Sequence, residues 1–141
     1  MTDTPKKPLS DPPISVKLKL SLLWASLMFL YIYNDFISLY LPGTLDDVAA
    51  GSMGPLGQAN DWLLLGVAVL VGLPGLMIFL SSGLPAAISR WANIVVGTLY
   101  TVVEIATFFD SALFYQVVVV TEIALTVAIV WHAVKWPREI S

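Results

Sequence analysis

Asp35, Glu104 and Glu122 fall inside stretches that otherwise read as membrane-spanning helices, and no Lys or Arg lies at their depth. An ionisable group in hydrocarbon costs about 2.5–3.5 kcal/mol on insertion scales and marks a functional site by default. Three chemistries suit such groups. They stay protonated, they share protons or accept hydrogen bonds from hydroxyls, or they hold a cation. Hydroxyls are close in sequence. Tyr31 stands one turn before Asp35, Tyr100 one turn before Glu104, and Thr126 one turn after Glu122. Residues three or four apart share a helix face.

These spacings lay out three stripes. The first holds Trp24, Met28, Tyr31, Asp35 and Ser38; the second Asn93, Gly97, Tyr100 and Glu104; the third Tyr115, Val119, Glu122 and Thr126. Each carries a carboxyl and a Tyr, so a common polar interior is expected, with Asp35, Glu104, Glu122, Tyr31, Tyr100, Asn93 and Thr126 as its ligand-binding residues. Counting at about 1.5 Å per residue puts Asp35 and Glu104 in the outer third and makes Glu122, near the midplane, the deepest acid. With no cation in reach, Glu122 is expected neutral at pH 7, donating a hydrogen bond to Thr126 or to a neighbouring helix. The bland reading is that the acids are interhelical glue, or that Asp35 simply sits near the outer interface.

His132, the single histidine, lies about 15 Å beyond Glu122 along its helix and reads as interfacial beside Trp131 and Lys135. Asp46, Asp47, Asp61 and Asp110 read as caps and solvated loop residues, or as an acidic rim that gathers cations. No Gly-x-Ser-x-Gly, His-Glu-x-x-His, phosphate loop or dinucleotide fingerprint occurs. The absence of Cys removes disulfides and thiolate-bound metals, and no cofactor is implied; a hard cation held by carboxylates stays open.

The elements that must position these residues follow from composition. The chain has 141 residues, 57% hydrophobic and 12% charged, with mean hydropathy +0.82. Soluble domains carry about 25% charged residues. No charge occurs between Trp62 and Ser89, and only Glu104, Asp110 and Glu122 occur between Trp91 and Val134. Runs of about 20 apolar residues mean membrane spans. The expected fold is all-α, a four-helix transmembrane bundle running up-down-up-down, with helices at about 15–40, 62–80, 86–109 and 111–136. Residues 1–14, polar and Pro-rich, are expected to be a disordered cytoplasmic N-terminus rather than a cleaved signal, and 137–141 a cytoplasmic tail.

Pro42-Gly43 ends the first helix. In the Gly-rich connection that follows, Thr44 and Asp47 have capping-box spacing, so 45–50 reads either as one or two helical turns or as an irregular loop. Asn60 or Asp61 caps the second span, Pro74-Gly75 should kink it, and 81–85 reads as a tight turn. The short hairpin at 109–111 offers Asp110 or Ser111 as cap of the last helix and makes the last two helices antiparallel neighbours.

All seven Lys and Arg fall on the side of the two termini, and the opposite side holds only acids. The positive-inside rule then places both termini in the cytoplasm. Trp24, Trp91, Trp131 and Trp136 near one end and Trp62 near the other read as interfacial anchors. Small-residue ladders, Ser89-Asn93-Gly97-Thr101 among them, let helices approach closely.

The runs Val16-Lys-Leu-Lys-Leu-Ser-Leu-Leu-Trp24, Tyr31-Ile-Tyr-Asn-Asp35 and Leu41-Pro-Gly43 resemble a family of small bacterial four-helix membrane proteins of unknown function, over 16–136. The architecture is also similar to DoxX-type membrane proteins at the level of fold. Neither resemblance supplies a catalytic residue. The expected protein sits in the bacterial cytoplasmic (inner) membrane and binds or passes a small cation, proton or polar solute through an outward-facing carboxylate pocket between the first, third and fourth spans. The alternatives are a structural or accessory subunit of a membrane complex and, with a thin catalytic set, an enzyme acting on a lipid or quinone. The expected partners are the lipid bilayer, a small-molecule or cation ligand, and further copies or a larger membrane complex. Nucleic acid is excluded, because the basic residues form no run that tracks phosphates.

Overall fold

The computed structural model describes residues 10–109 and 113–138. It is all-helical: α1 is Val16–Ser38, α2 Thr44–Ala49, α3 Asp61–Gly83, α4 Ala86–Phe108 and α5 Leu113–Val134. Four of these, α1, α3, α4 and α5, are long and apolar enough to cross a membrane. Helices of 22 or 23 residues rise about 33 Å, matching a hydrocarbon core of about 30 Å.

The helix starts follow local chemistry. Ser15 Oγ accepts from the Leu18 N–H at 3.3 Å, and Asn60 Oδ1 accepts from the Leu63 N–H at 3.0 Å, so Ser15 and Asn60 cap α1 and α3. The connection 39–60 contains α2, but the expected capping box does not form. Gly43, at φ 87°, takes the cap position without a side-chain bond, and Thr44 is already helical. Only Gly adopts that left-handed conformation without strain, so the turn at Gly43 moves the helix start back by one residue. The expected caps Asp110 and Ser111, and most of the expected disordered N-terminus, lie outside the described residues.

One boundary differs from expectation. Residues 81–83 continue α3, and the turn into α4 is only Leu84-Pro85. Ser81 is fully buried, and Lys17 Nζ donates to the carbonyls of Leu84 at 2.6 Å and Ser82 at 3.4 Å. Packing and a cation at the helix C-terminus stabilise the extra turn that two serines and a glycine disfavour locally. Helix α3 passes through Pro74 as one continuous element.

Two cations report how helices pair. Lys17, in the first turn of α1, reaches the end of α3; Arg90, near the start of α4, donates from Nε to the Ala133 carbonyl of α5 at 3.2 Å. Helix α1 is therefore antiparallel to α3, and α4 to α5. The most extensive contacts are α4 on α5, α1 on α3 and α1 on α5. Gly97 makes the α4–α5 approach possible. A Cβ there would meet Val130 Cγ2 at 2.9 Å and Ile129 Cγ2 at 3.2 Å. The small-residue ladder thus packs within the chain.

The bundle is apolar outside and mixed apolar and polar inside. Leu20, Trp24, Leu27, Met77, Tyr100, Ile129 and Ala133 form the apolar core, but Ser21, Asn34, Ser81, Ser89, Asn93, Glu104, Glu122 and Thr126 are buried with them. Phe29, Ile32, Val69, Phe79, Val95, Val102 and Val120 face outward. Lipid accepts such a surface and water does not. Trp62, Trp91 and Trp131 are exposed near helix ends, as interfacial anchors should be. Trp24 is not an anchor. It is fully buried, with its indole N–H donating to Asn93 Oδ1 at 2.7 Å.

Candidate functional site

Glu104 is the hub of the interior. It is 4% exposed and receives one hydrogen bond on each carboxyl oxygen. Tyr31 Oη of α1 donates to Oε1 at 2.5 Å, and Thr126 Oγ1 of α5 donates to Oε2 at 2.9 Å. Three helices converge on one carboxyl, as the stripes on the first, third and fourth spans require. Tyr100 stands one turn below Glu104, its ring 6.5 Å from that of Tyr31 and 6.0 Å from that of Trp24.

The Tyr100 hydroxyl has its own task. It donates to the carbonyl of Leu70 on α3. In an α-helix that carbonyl accepts from the residue four positions on, which here is Pro74. Pro has no N–H to give. Tyr100 supplies the missing donor, so the second stripe is hydrogen-bonded to the one span that contributes no ionisable group to the interior.

Glu122 is 2% exposed, and its Oε1 has no hydrogen-bond partner. It stands one turn before Thr126 on α5, whose hydroxyl also lies 3.2 Å from the Glu122 carbonyl oxygen and 3.1 Å from that of Ile123. The bond between Thr126 and Glu104 sets the Glu104 carboxyl level with the Thr126 hydroxyl along the bundle, one turn along α5 from Glu122. Side chains on a helix lean towards its N-terminus. The α4 and α5 directions are opposite, so the Glu104 carboxyl leans towards the basic end of the bundle and that of Glu122 away from it. Counting along each backbone misses this crossing.

Asp35 does not join the interior. It is exposed on α1, and Asn34 is buried in its place at 4% exposure. The inner face of α1 is Leu20, Trp24, Leu27, Tyr31 and Asn34, one residue out of step with the expected stripe at its C-terminal end. The backbone carbonyl of Asn34 accepts from Ser38 Oγ at 2.8 Å, while its side-chain Oδ1 has no partner. Asp35 stays within electrostatic reach of Glu122 and Tyr115, in the last turn of α1.

Asn93 belongs to a separate cluster nearer the basic end. Its Oδ1 accepts from Trp24 Nε1 at 2.7 Å and Ser81 Oγ at 3.0 Å, and its Nδ2 donates to the Ser89 carbonyl at 2.8 Å. Ser89 Oγ donates to the Ser81 carbonyl at 2.7 Å. Each of these groups is satisfied, so the cluster holds α1, α3 and α4 together and offers no vacancy to a ligand. Sequence reasoning missed Ser81 and Ser89 as members. Their signal was spacing, since Ser89 stands one turn before Asn93. It also missed Asn34, which the spacing 24-27-31-34 would have found.

Of the expected site residues, the structure brings together Tyr31, Glu104, Glu122 and Thr126, joins Tyr100 through ring contact, and sets Asn93 and Asp35 apart. What remains open in the layer is two buried oxygens, Glu122 Oε1 and Asn34 Oδ1. Asn34 is one turn beyond Tyr31 and Glu122 one turn before Thr126, so on antiparallel helices both lie on the same side of the Glu104 contacts. Oxygens without donors suit a cation or a hydrogen-bond donor and repel an anion. Among the described residues, no group of three His, Asp or Glu is placed to hold a metal ion. His132 Nδ1 lies 2.8 Å from the Ala128 carbonyl within its own helix, away from this layer.

No curated protein and no solved structure matches the chain. A family model does match, over residues 15–141, close to the 16–136 expected from the sequence motifs. The chain belongs to that family, a family of unknown function designated DUF6326.

Proposed function

We propose that this protein spans the bacterial cytoplasmic membrane four times, up-down-up-down with both termini in the cytoplasm, and binds or passes a small cation or proton at the Tyr31–Glu104–Thr126–Glu122 layer. The observation that carries the reading is Glu122, buried and with one carboxyl oxygen unpartnered, beside a Glu104 whose two oxygens are already engaged. A buried polar atom without a partner costs about 1–3 kcal/mol, so an occupant that supplies a donor or a positive charge gains that much on entry. The orientation rests on the gathering of Lys17, Lys19, Arg90, Lys135 and Arg138 at one end.

A second reading, a structural or accessory subunit, draws on the satisfied Trp24–Asn93–Ser81–Ser89 cluster, which is glue of the ordinary kind. One experiment separates the two. Purified protein is unfolded by heat in detergent at fixed pH and ionic strength, with sodium, potassium or methylammonium replacing a bulky organic cation. Binding predicts a saturable rise in Tm with one of the small cations or, for a proton, a dependence of Tm on pH in melts repeated across a pH series, in either case removed by Glu122→Gln. A Tm equal in every salt, whose pH dependence Glu122→Gln leaves unchanged, supports the subunit reading.

A further inference from the structure

We propose that Glu104 and Glu122 hold one exchangeable proton between them, and that the Thr126 hydroxyl turns to follow it. The inference rests on the cation-site reading and names its occupant.

The geometry of Thr126 carries the idea. A Thr hydroxyl has one proton to donate, yet three acceptors lie around it: Glu104 Oε2 at 2.9 Å, the Ile123 carbonyl at 3.1 Å and the Glu122 carbonyl at 3.2 Å. Only one is served at a time. With the proton on Glu122, Glu104 is a carboxylate, and both Tyr31 and Thr126 donate to it. With the proton on Glu104 Oε2, that O–H donates to Thr126 Oγ1, and the Thr proton swings to the Glu122 or Ile123 carbonyl. Tyr31 donates to Oε1 in both states. Neither state leaves the Glu104 carboxyl unsatisfied.

The surroundings favour one charge on the pair rather than two. The ionisable groups around it are Asp35 and Tyr31 on α1, Tyr100 on α4 and Tyr115 on α5. None is a cation, and α3 has no ionisable side chain between Trp62 and Gly83. Two carboxylates without a counter-ion in low dielectric are costly. Glu122 Oε1 is itself a buried acceptor without a partner, and Asn34 Oδ1, independently buried and unpartnered, lies on the same side of the Glu104 contacts. Asn34 gives an arriving proton, carried by water, an oxygen to bind on its way to the glutamates.

Infrared difference spectroscopy of the protein in lipid, at neutral pH and in H2O against D2O, reads the proton directly. A protonated-carboxyl band is expected in the parent protein, lost in Glu122→Gln and unchanged in Asp35→Asn. Thr126→Val removes the donor to Glu104, so the charge should move to Glu122 and the band should shift. The double variant Thr126→Val with Glu122→Gln should then keep a protonated band, from Glu104. Thr126→Ser keeps a hydroxyl and should match the parent, which guards against a packing effect of Val. Absence of a protonated band in the parent, or a band indifferent to both Glu104→Gln and Glu122→Gln, overturns the shared proton. If that absence comes with a sodium- or methylammonium-dependent Tm, the cation site survives with a different occupant. If no small cation changes Tm and the band is absent, both fall.

Discussion

Tyr100 completes a hydrogen bond that Pro74 leaves open, its hydroxyl donating to the Leu70 carbonyl one turn before the proline. Tyr100→Phe should therefore destabilise the bundle by about 1–3 kcal/mol, the cost of a buried carbonyl left without a donor. The cost should shrink in a Pro74→Ala background, because the restored N–H serves Leu70 itself. Denaturant unfolding of the four proteins in detergent, analysed as a double-mutant cycle, checks this. Equal costs in both backgrounds would mean that Tyr100 acts only through ring packing.

Gly97→Ala should cost about 1–3 kcal/mol by overpacking, since the new Cβ has stiff, branched neighbours in Val130 and Ile129. The same push separates α4 from α5 and lengthens the contact between Glu104 and Thr126. Thermal unfolding measures the first effect, and any small-cation dependence of Tm should weaken with it.

Asn34→Leu separates stability from function at one position. The buried Oδ1 makes no hydrogen bond, so its loss should leave Tm unchanged or raised. If Asn34 receives a cation, the Tm shift produced by the favoured salt should fall. Asp35→Asn should change stability by less than about 0.5 kcal/mol, as expected of an exposed position. A large loss on Asp35→Asn, seen in the same melts, would place Asp35 among the buried acids after all.

Orientation is checked by labelling. A cysteine introduced at Ser52 should react with an impermeant thiol reagent in whole cells, and one at Ser82 should not. The reverse pattern overturns the cytoplasmic placement of the termini.

Much of this was legible in the sequence, for physical reasons. Four long apolar runs dictate four long helices, and the α4 stripe of Asn93, Gly97, Tyr100 and Glu104 is buried as its spacing requires. On α5, Val119, Glu122 and Thr126 are buried likewise. The α1 face was harder. Stripes 24-28-31-35 and 24-27-31-34 fit helical periodicity equally well, and the more polar residue, Asp35, drew the choice away from Asn34. Tertiary contact decides such a case, through the close packing of α1 on α3 and α5. Nor does sequence reveal that Tyr100 serves a carbonyl orphaned by a proline 26 positions earlier, because that pairing exists only once α3 and α4 are packed.

Proteoliposomes carrying a trapped pH-sensitive dye test the central claim most directly. An imposed gradient of protons, or of the cation that raises Tm, should drive a dye response in vesicles with the parent protein. Glu122→Gln and Glu104→Gln, inserted and folded to the same extent, should fall to the level of empty vesicles, with Asp35→Asn close to the parent. A Glu122→Gln response equal to the parent's, or a parent response equal to that of empty vesicles, would contradict passage of a small cation or proton through the buried carboxylate layer.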